Sequence, residues 1–397
     1  MHAGDDFTLT AEETIGTPQR VSVSFKRLPE VVKSGDRLFL NDGLVQLTAE
    51  HVSGSEVHCK VSVGGELRSH KGLNLPGIAL GIGAFTSHDR ACLEFALQQG
   101  VDMVSQSFVE TGSDIEAVRA AAEAAGKRPF VIAKIERLGA ITNFDEIVNA
   151  TDGIMIARGD LGVEVPIEEM AILQKRLIAR ARIAGKPVIT ATQMVESMVA
   201  SRLPTRAEAT DVANAILDGT DAVMLSAESA IGQYPEEAVA TLAKIAAYTE
   251  SQRLPLRLAE LRSRLGKGPP DTAADAIASV VETALDIVPC AAVFVPTQTG
   301  TTARMISRLN RSLWIVAISR DPAVCQALAL SYAVEPVQLA EEPKNWRDFA
   351  ESWLQEHQIR GHVALLVAGP STRHPDANYR LEFLKFGEFT QSDAVAR

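Results

Sequence analysis

The sequence predicts an α/β protein: a run of βα units that form a parallel sheet, preceded by a small β domain and followed by a second α/β domain. Three observations predict it. From about Ala84 to Thr249, apolar strands at Met103–Phe108, Phe130–Ile135, Gly153–Ala157, Pro187–Ala191 and Ala222–Leu225 alternate with helical segments. Their spacing, roughly 25–35 residues, is the length of one βα unit. Ahead of them, Phe7–Thr10, Val21–Phe25, Arg37–Leu40 and Val57–Val63 are β-prone, with turn signals at Asp42-Gly43, Ser53-Gly54-Ser55 and Gly64-Gly65. Beyond the break Gly266-Lys267-Gly268-Pro269-Pro270, helix and strand alternate again through Ala274–Ile287, Ala291–Pro296, Met305–Leu309, Leu313–Ile318 and Ala364–Val367. The expected domains are residues 1–82, 83–250 and 251–397.

Composition narrows the function classes. A chain of 397 residues, 46% apolar, supplies cores for two or three domains. Its net charge of −11 argues against a nucleic-acid surface or an anionic-membrane anchor. An anionic substrate would then need a local cluster of cations. The first residues show no basic and apolar leader, and no apolar run approaches the roughly 20 residues of a membrane span. Cys59, Cys92, Cys290 and Cys325 are far apart with no CxxC pairing, and the histidines show no metal spacing. A reduced, cytoplasmic protein is expected.

Polar residues collect where the central strands end: Ser107, Lys134 and Glu136, Asp160, Thr192, Ser226. In a (β/α) barrel that edge is the active-site face. Lys134 and Glu136 are two apart on one strand and point the same way. Alone they fit a structural ion pair as well as a metal and phosphate site. With Asp160 on the next strand end, two carboxylates suit Mg²⁺, which takes one or two plus substrate oxygens. The stretch Ala157–Pro166 reads as a Gly-rich corner before a helix beginning at Ile167, with free N–H groups for an anion. Thr192 also fits an N-cap for Val195–Ser201, and Pro204-Thr205 reads as stop and cap for a helix carrying Arg206 and Glu208. Ser107 and Ser226, in isolation, are ordinary strand-end serines. The loop Thr297-Gln298-Thr299-Gly300-Thr301-Thr302-Ala303 fits a phosphate nest and a helix cap equally.

The ordered segments Lys71–Pro76, Ser107-Phe108-Val109, Ala133–Glu136, Ile156–Glu164, Ala191–Met198, Pro204–Glu208, Asp211–Asn214 and Met224–Glu228 resemble pyruvate kinase across nearly the whole chain. The resemblance implies an incomplete TIM (β/α)8-type barrel with an inserted small β-barrel domain and a C-terminal α/β regulatory-type domain. It implies phosphoryl transfer from phosphoenolpyruvate to ADP, giving pyruvate and ATP, with Mg²⁺ (or Mn²⁺) and K⁺. Glu136 and Asp160 would hold the Mg²⁺, and Lys134 would sit on the transferring phosphoryl. Gly159 and Asp160, with Thr192, would hold the substrate carboxylate. Ser226 and Glu228 would line the enolate side, and Lys71 and Asp42 would belong to the nucleotide side. Thr297, Thr299, Gly300, Thr301 and Thr302 resemble a site for a phosphorylated sugar or nucleotide effector. The family is usually a homotetramer, so a homo-oligomer is expected, with no nucleic acid or membrane partner.

Two departures stand out. Family members place three barrel strands before the small β domain, with the substrate-phosphate arginine and the K⁺ ligands, whereas this chain begins inside that domain. The expectation is a truncated gene model, one chain of a split enzyme, or a catalytically impaired remnant. A metal-dependent, aldolase-like phosphoenolpyruvate- or pyruvate-binding barrel is the other reading, disfavoured by the nucleotide-side domain. The second is a set of smaller ones: Glu110 after Ser-Phe-Val, Ile231 where a Lys is common in the family, and Asp376-Ala377-Asn378-Tyr379 in place of the usual Gly-Thr-Thr-Asn ending.

Overall fold

The computed structural model describes all residues except 42, 70, 79, 80, 82, 254–256, 271, 370–378 and 387–397. Among the described residues the strands form three sheets. The first contains β1 (Asp6–Thr10), β2 (Arg20–Ser22), β3 (Arg37–Leu40), β4 (Val45–Ser53), β5 (Glu56–Val63) and β6 (Leu73–Asn74), in the order β2-β1-β5-β4-β3-β6. All its pairings are antiparallel except β1 with β2. Alternate residues of these strands, among them Leu9, Leu38, Leu47 and Val57, close one core.

The second sheet holds β7 (Met103–Gln106), β8 (Phe130–Ile135), β9 (Gly153–Ala157), β10 (Val188–Ala191) and β11 (Ala222–Met224), in the order β11-β10-β9-β8-β7 and parallel throughout. Strand order follows chain order, as a barrel wall requires. Val131, Ala133, Ile135, Ile154 and Ile156 face the helices, packing on Phe144, Ile147, Leu173 and Leu177. The opposite face carries Phe130, Ile132 and Met155, and Lys134 follows them in the two-residue alternation. Central β9 is buried along its whole length, whereas β7 and β11, each paired on one side, are only partly covered. Partial cover at two free edges of a parallel sheet is what an incomplete barrel predicts.

The third sheet joins β12 (Ala292–Pro296), β13 (Trp314–Ser319), β14 (Val334–Gln338), β15 (Val363–Ala368) and β16 (Arg380–Lys385) in the order β14-β13-β12-β15-β16. Only β16 is antiparallel.

Candidate active site

The C-terminal ends of β7, β8, β9, β10 and β11 gather most of the residues singled out by sequence. Lys134 Nζ lies 2.6 Å from Glu136 Oε1 and donates to Ser107 Oγ at 2.9 Å. The Glu136 side chain is only 1% exposed, and its Oε2 accepts from the Phe108 N–H at 2.6 Å. That bond holds the turn after β7, where Phe108 sits at φ 56°. One buried carboxylate thus fixes a cation and a neighbouring loop.

The residues after β9 differ from the expected corner. Arg158–Glu164 is itself a short helix, and a second one follows at Ile167–Ile183. Asp160 lies in the first turn of the short helix, half-buried. The Gly159 N–H, expected to be free for an anion, donates to Thr192 Oγ1 at 2.7 Å, and that hydroxyl donates to Ala191 O at 2.7 Å. Thr192 is not the N-cap expected for Val195–Ser201. Only Glu196–Val199 is helical there, a single 3₁₀ turn with no side-chain cap. Thr192 and Gln193 instead adopt left-handed backbone, φ 69° and 54°, which is rare for a β-branched residue.

Arg158 explains how that conformation is held. Its Nη2 donates to Thr192 O at 2.8 Å and to Gln193 O at 3.2 Å, while Nη1 meets Asp211 Oδ2 at 2.6 Å. Sequence reasoning gave roles to Gly159 and Asp160 and none to Arg158. The signal available was the pairing of the 156–164 and 211–214 motifs, which this ion pair joins.

Ser226 and Glu228 adjoin each other at the end of β11. The Glu228 carboxylate, 1% exposed, accepts from Ser226 N at 2.8 Å and Val195 N at 3.2 Å. It ties two strand-end loops together.

A cavity of about 1350 Å³ opens between the first sheet and the ends of β7 and β8, lined by Lys71, Asn74, Ser107, Phe108 and Glu136 among others. Lys71 is exposed. A Cβ on Gly43 would lie 3.8 Å from Val163, so the turn of the first sheet reaches the short helix that carries Asp160. Asp42, the other nucleotide-side candidate, lies outside the described residues. Asp160, Thr192 and Ser226 do not line this cavity; they extend along the same sheet edge beyond it.

Among the described residues no three His, Cys, Asp or Glu side chains cluster as a metal centre. Glu136 and Asp160, following the adjacent strands β8 and β9, provide two hard oxygen donors. That set fits a Mg²⁺ completed by substrate oxygens rather than a metal caged by protein. In the third sheet's loop, Gly300 at φ 78° caps the helix Thr301–Ser307 and donates its N–H to Thr297 Oγ1 at 2.9 Å. Thr299 and Thr301 hydroxyls meet at 2.9 Å, and Arg304 Nη2 donates to Thr299 O at 2.9 Å. Thr302 is half-buried beside them.

Residues 1–239 match the family described as pyruvate kinase, barrel domain, and residues 275–378 match pyruvate kinase, alpha/beta domain. The chain belongs to the pyruvate kinase family. A pyruvate kinase of Thermococcus litoralis is 49% identical over 337 residues, covering 85% of this chain and 71% of the relative. Pyruvate kinase 2 of a Synechocystis strain is 43% identical over 92% of this chain and 62% of its own length. The crystal structure of a pyruvate kinase from Cryptosporidium parvum superposes with a TM-score of 0.88 at 31% identity, over 97% of this chain and 79% of that one. The family's enzymes are phosphotransferases. The chain spans 62% to 71% of the length of the two named curated relatives. No described helix is long and apolar enough to cross a membrane.

Proposed function

We propose that this chain carries the phosphoryl-transfer site of its family, moving the phosphoryl group of phosphoenolpyruvate to ADP and releasing pyruvate and ATP. The observation that carries the reading is the Lys134–Glu136–Ser107 cluster at one strand end, bordering the cavity that Lys71 also lines. Lys134 places a point charge where phosphoryl oxygens gather negative charge in the transition state. The Gly159 N–H and the Thr192 hydroxyl form a donor pair for the substrate carboxylate, which would take over the bond that now joins them. Ser226 supplies a hydroxyl on the enolate side, and Glu228 positions it through the backbone bond. Glu136 and Asp160 would hold Mg²⁺ (or Mn²⁺), which supplies charge neutralisation for the phosphoryl oxygens. Family members generally also use K⁺.

We place the domains at 1–82, 83–250 and 251–397 and the protein in the cytoplasm as a homo-oligomer. The Thr297–Thr302 loop is a candidate site for a phosphorylated sugar or nucleotide effector. The free edges of β7 and β11 favour one second reading, that turnover requires a further segment or chain to complete the barrel wall.

The deciding test is a coupled pyruvate-release assay on the purified chain with phosphoenolpyruvate, ADP and Mg²⁺, with and without K⁺. Turnover is expected, and Lys134→Met should lower it by about 10³-fold or more. Turnover that survives Lys134→Met overturns the site assignment. No turnover from a folded chain supports the second reading.

A further inference from the structure

Three strand ends meet at the rim of the cavity in a cluster for which the phosphoryl chemistry has no use. Glu110 follows β7, Arg137 follows Glu136 at the end of β8, and Glu164 closes the short helix after β9. Arg137 Nε lies 3.2 Å from Glu110 Oε1 and 3.9 Å from Glu164 Oε1, and the Arg137 side chain is 12% exposed. A guanidinium enclosed by two carboxylates still has N–H donors to satisfy. Arg137 Nη2 satisfies one on Ile78 O, 3.3 Å away.

Ile78 belongs to the other unit. It packs with Leu73 and Leu75 against the core of the six-stranded sheet. Glu164 reaches the same segment, accepting from the Gly77 N–H as well as from Leu138 N at 3.4 Å. The outer partner is itself anchored: Glu110 N donates to Asp114 Oδ2 at 3.0 Å, and Glu110 O accepts from Asn143 Nδ2 at 2.9 Å. A Cβ on Gly139 would press on Glu110 Cγ at 3.3 Å, so the glycine leaves room for that side chain.

We propose that Arg137 is a positioning residue: gripped by Glu110 and Glu164, it holds Gly77-Ile78, where the chain leaves the six-stranded sheet, against the strand ends that carry Lys134 and Glu136. It thereby sets how that sheet, with Lys71, stands over the nucleotide side of the cavity. This rests on the active-site reading above for its catalytic consequence, but not for its structural one. The Lys134–Glu136–Ser107 contacts do not run through Arg137. Loosening Arg137 therefore affects nucleotide binding more than the reacting centre.

Hydrogen exchange of the full chain without substrates tests the structural part. In Arg137→Gln, the amides of Leu75, Gly77 and Ile78 should exchange at least about tenfold faster, as expected for a charge-assisted bond lost, while β8 and β9 keep their protection. Arg137→Lys should fall between. In the assay, the KM for ADP should rise about tenfold with kcat within about threefold, since uniform binding is what is lost. Unchanged exchange at 75–78 in folded Arg137→Gln overturns the proposal. If Arg137→Gln does not fold, Glu110→Gln decides: a smaller rise in the same peptide supports it and no rise overturns it. Because exchange needs no turnover, an inactive chain would count against the catalytic reading alone.

Discussion

At the scale of single residues the site turns on Glu136. A carboxylate 1% exposed is tolerable because Lys134 and the Phe108 N–H occupy it. Lys134 is a quarter exposed and can reach water, so the pair is asymmetric. Lys134→Met strands a buried anion and should cost about 3–5 kcal/mol, more than Glu136→Gln, whose amide N–H₂ opposes one of the two donors but leaves no buried charge. Urea denaturation of the two variants checks this, and the reverse ranking would sink it. Mg²⁺ should recover part of the loss in Lys134→Met and none in the double variant, which separates a metal-binding carboxylate from a structural one. Lys134 and Glu136 were legible in the sequence because strand alternation alone puts them on one side. The Thr192 conformation was not. It depends on Gly159 and Arg158, more than 30 positions away in the chain, and no local signal in Ala191-Thr192-Gln193 announces it. Glu228 shows the same limit: its two backbone partners lie on different loops.

Among the elements, the helix Arg206–Asp218 shows what local sequence can specify. Thr205 accepts from Glu208 N, and Glu208 returns the bond to Thr205 N while also holding Ser197. Burial works against that carboxylate, yet the bonds from Ser197 and Thr205 hold it below its ordinary range. Thr205→Ala should cost about 1 kcal/mol. The other end is stricter. Gly219 stops the helix at φ 93°, and a Cβ there would fall 2.5 Å from the Asn310 side-chain amide and 2.7 Å from Arg182 Nη1. Gly219→Ala should therefore cost about 2–4 kcal/mol, combining left-handed strain with overpacking. A melting curve ranking the two the other way would refute the argument. The Thr205 cap was readable from four residues, whereas the Gly219 contacts come from across the molecule. Elements missed by sequence share a physical cause. The helix Arg158–Glu164 contains two poor helix formers, Gly159 and Gly162. Strand β14 contains Pro336, tolerated because β14 pairs only with β13 at the sheet edge.

Across the whole molecule, the second and third sheets are joined by apolar contact, where Ala327 and Leu330 pack against Phe130, Ile132 and Met155, and by charge. Arg182 Nη2 donates to Arg308 O at 2.9 Å, Arg308 bonds both Asp275 and Ile183 O, and Arg253 donates to Ile216 O at 3.3 Å and to Asn310 O at 2.8 Å. Asp221, at the start of β11, accepts from Val188 N and from Tyr332 N, both at 2.8 Å, and so spans the two units. Desolvation pushes its carboxyl from 3.8 up to about 6, against those two bonds and the pull of Arg182 and Arg253. Desolvation likewise lowers Arg182 to about 10. Between about pH 4 and 6 the folded chain therefore holds one more proton at Asp221 than the unfolded chain. Stability from this group is fully present below pH 4 and falls as pH rises through 6, by about 2–3 kcal/mol in all. Carboxylates held low, Glu208 among them, tilt the total the other way, so the difference between two chains is the quantity to measure. Urea midpoints for the wild-type chain and Asp221→Asn at pH 4, 5, 6 and 7 supply it. The variant lacks the titration, so its stability relative to wild type should improve as pH rises from 4 to 6 and level off above. Parallel curves would mean that the two backbone bonds and the two arginines offset the desolvation of Asp221 in full.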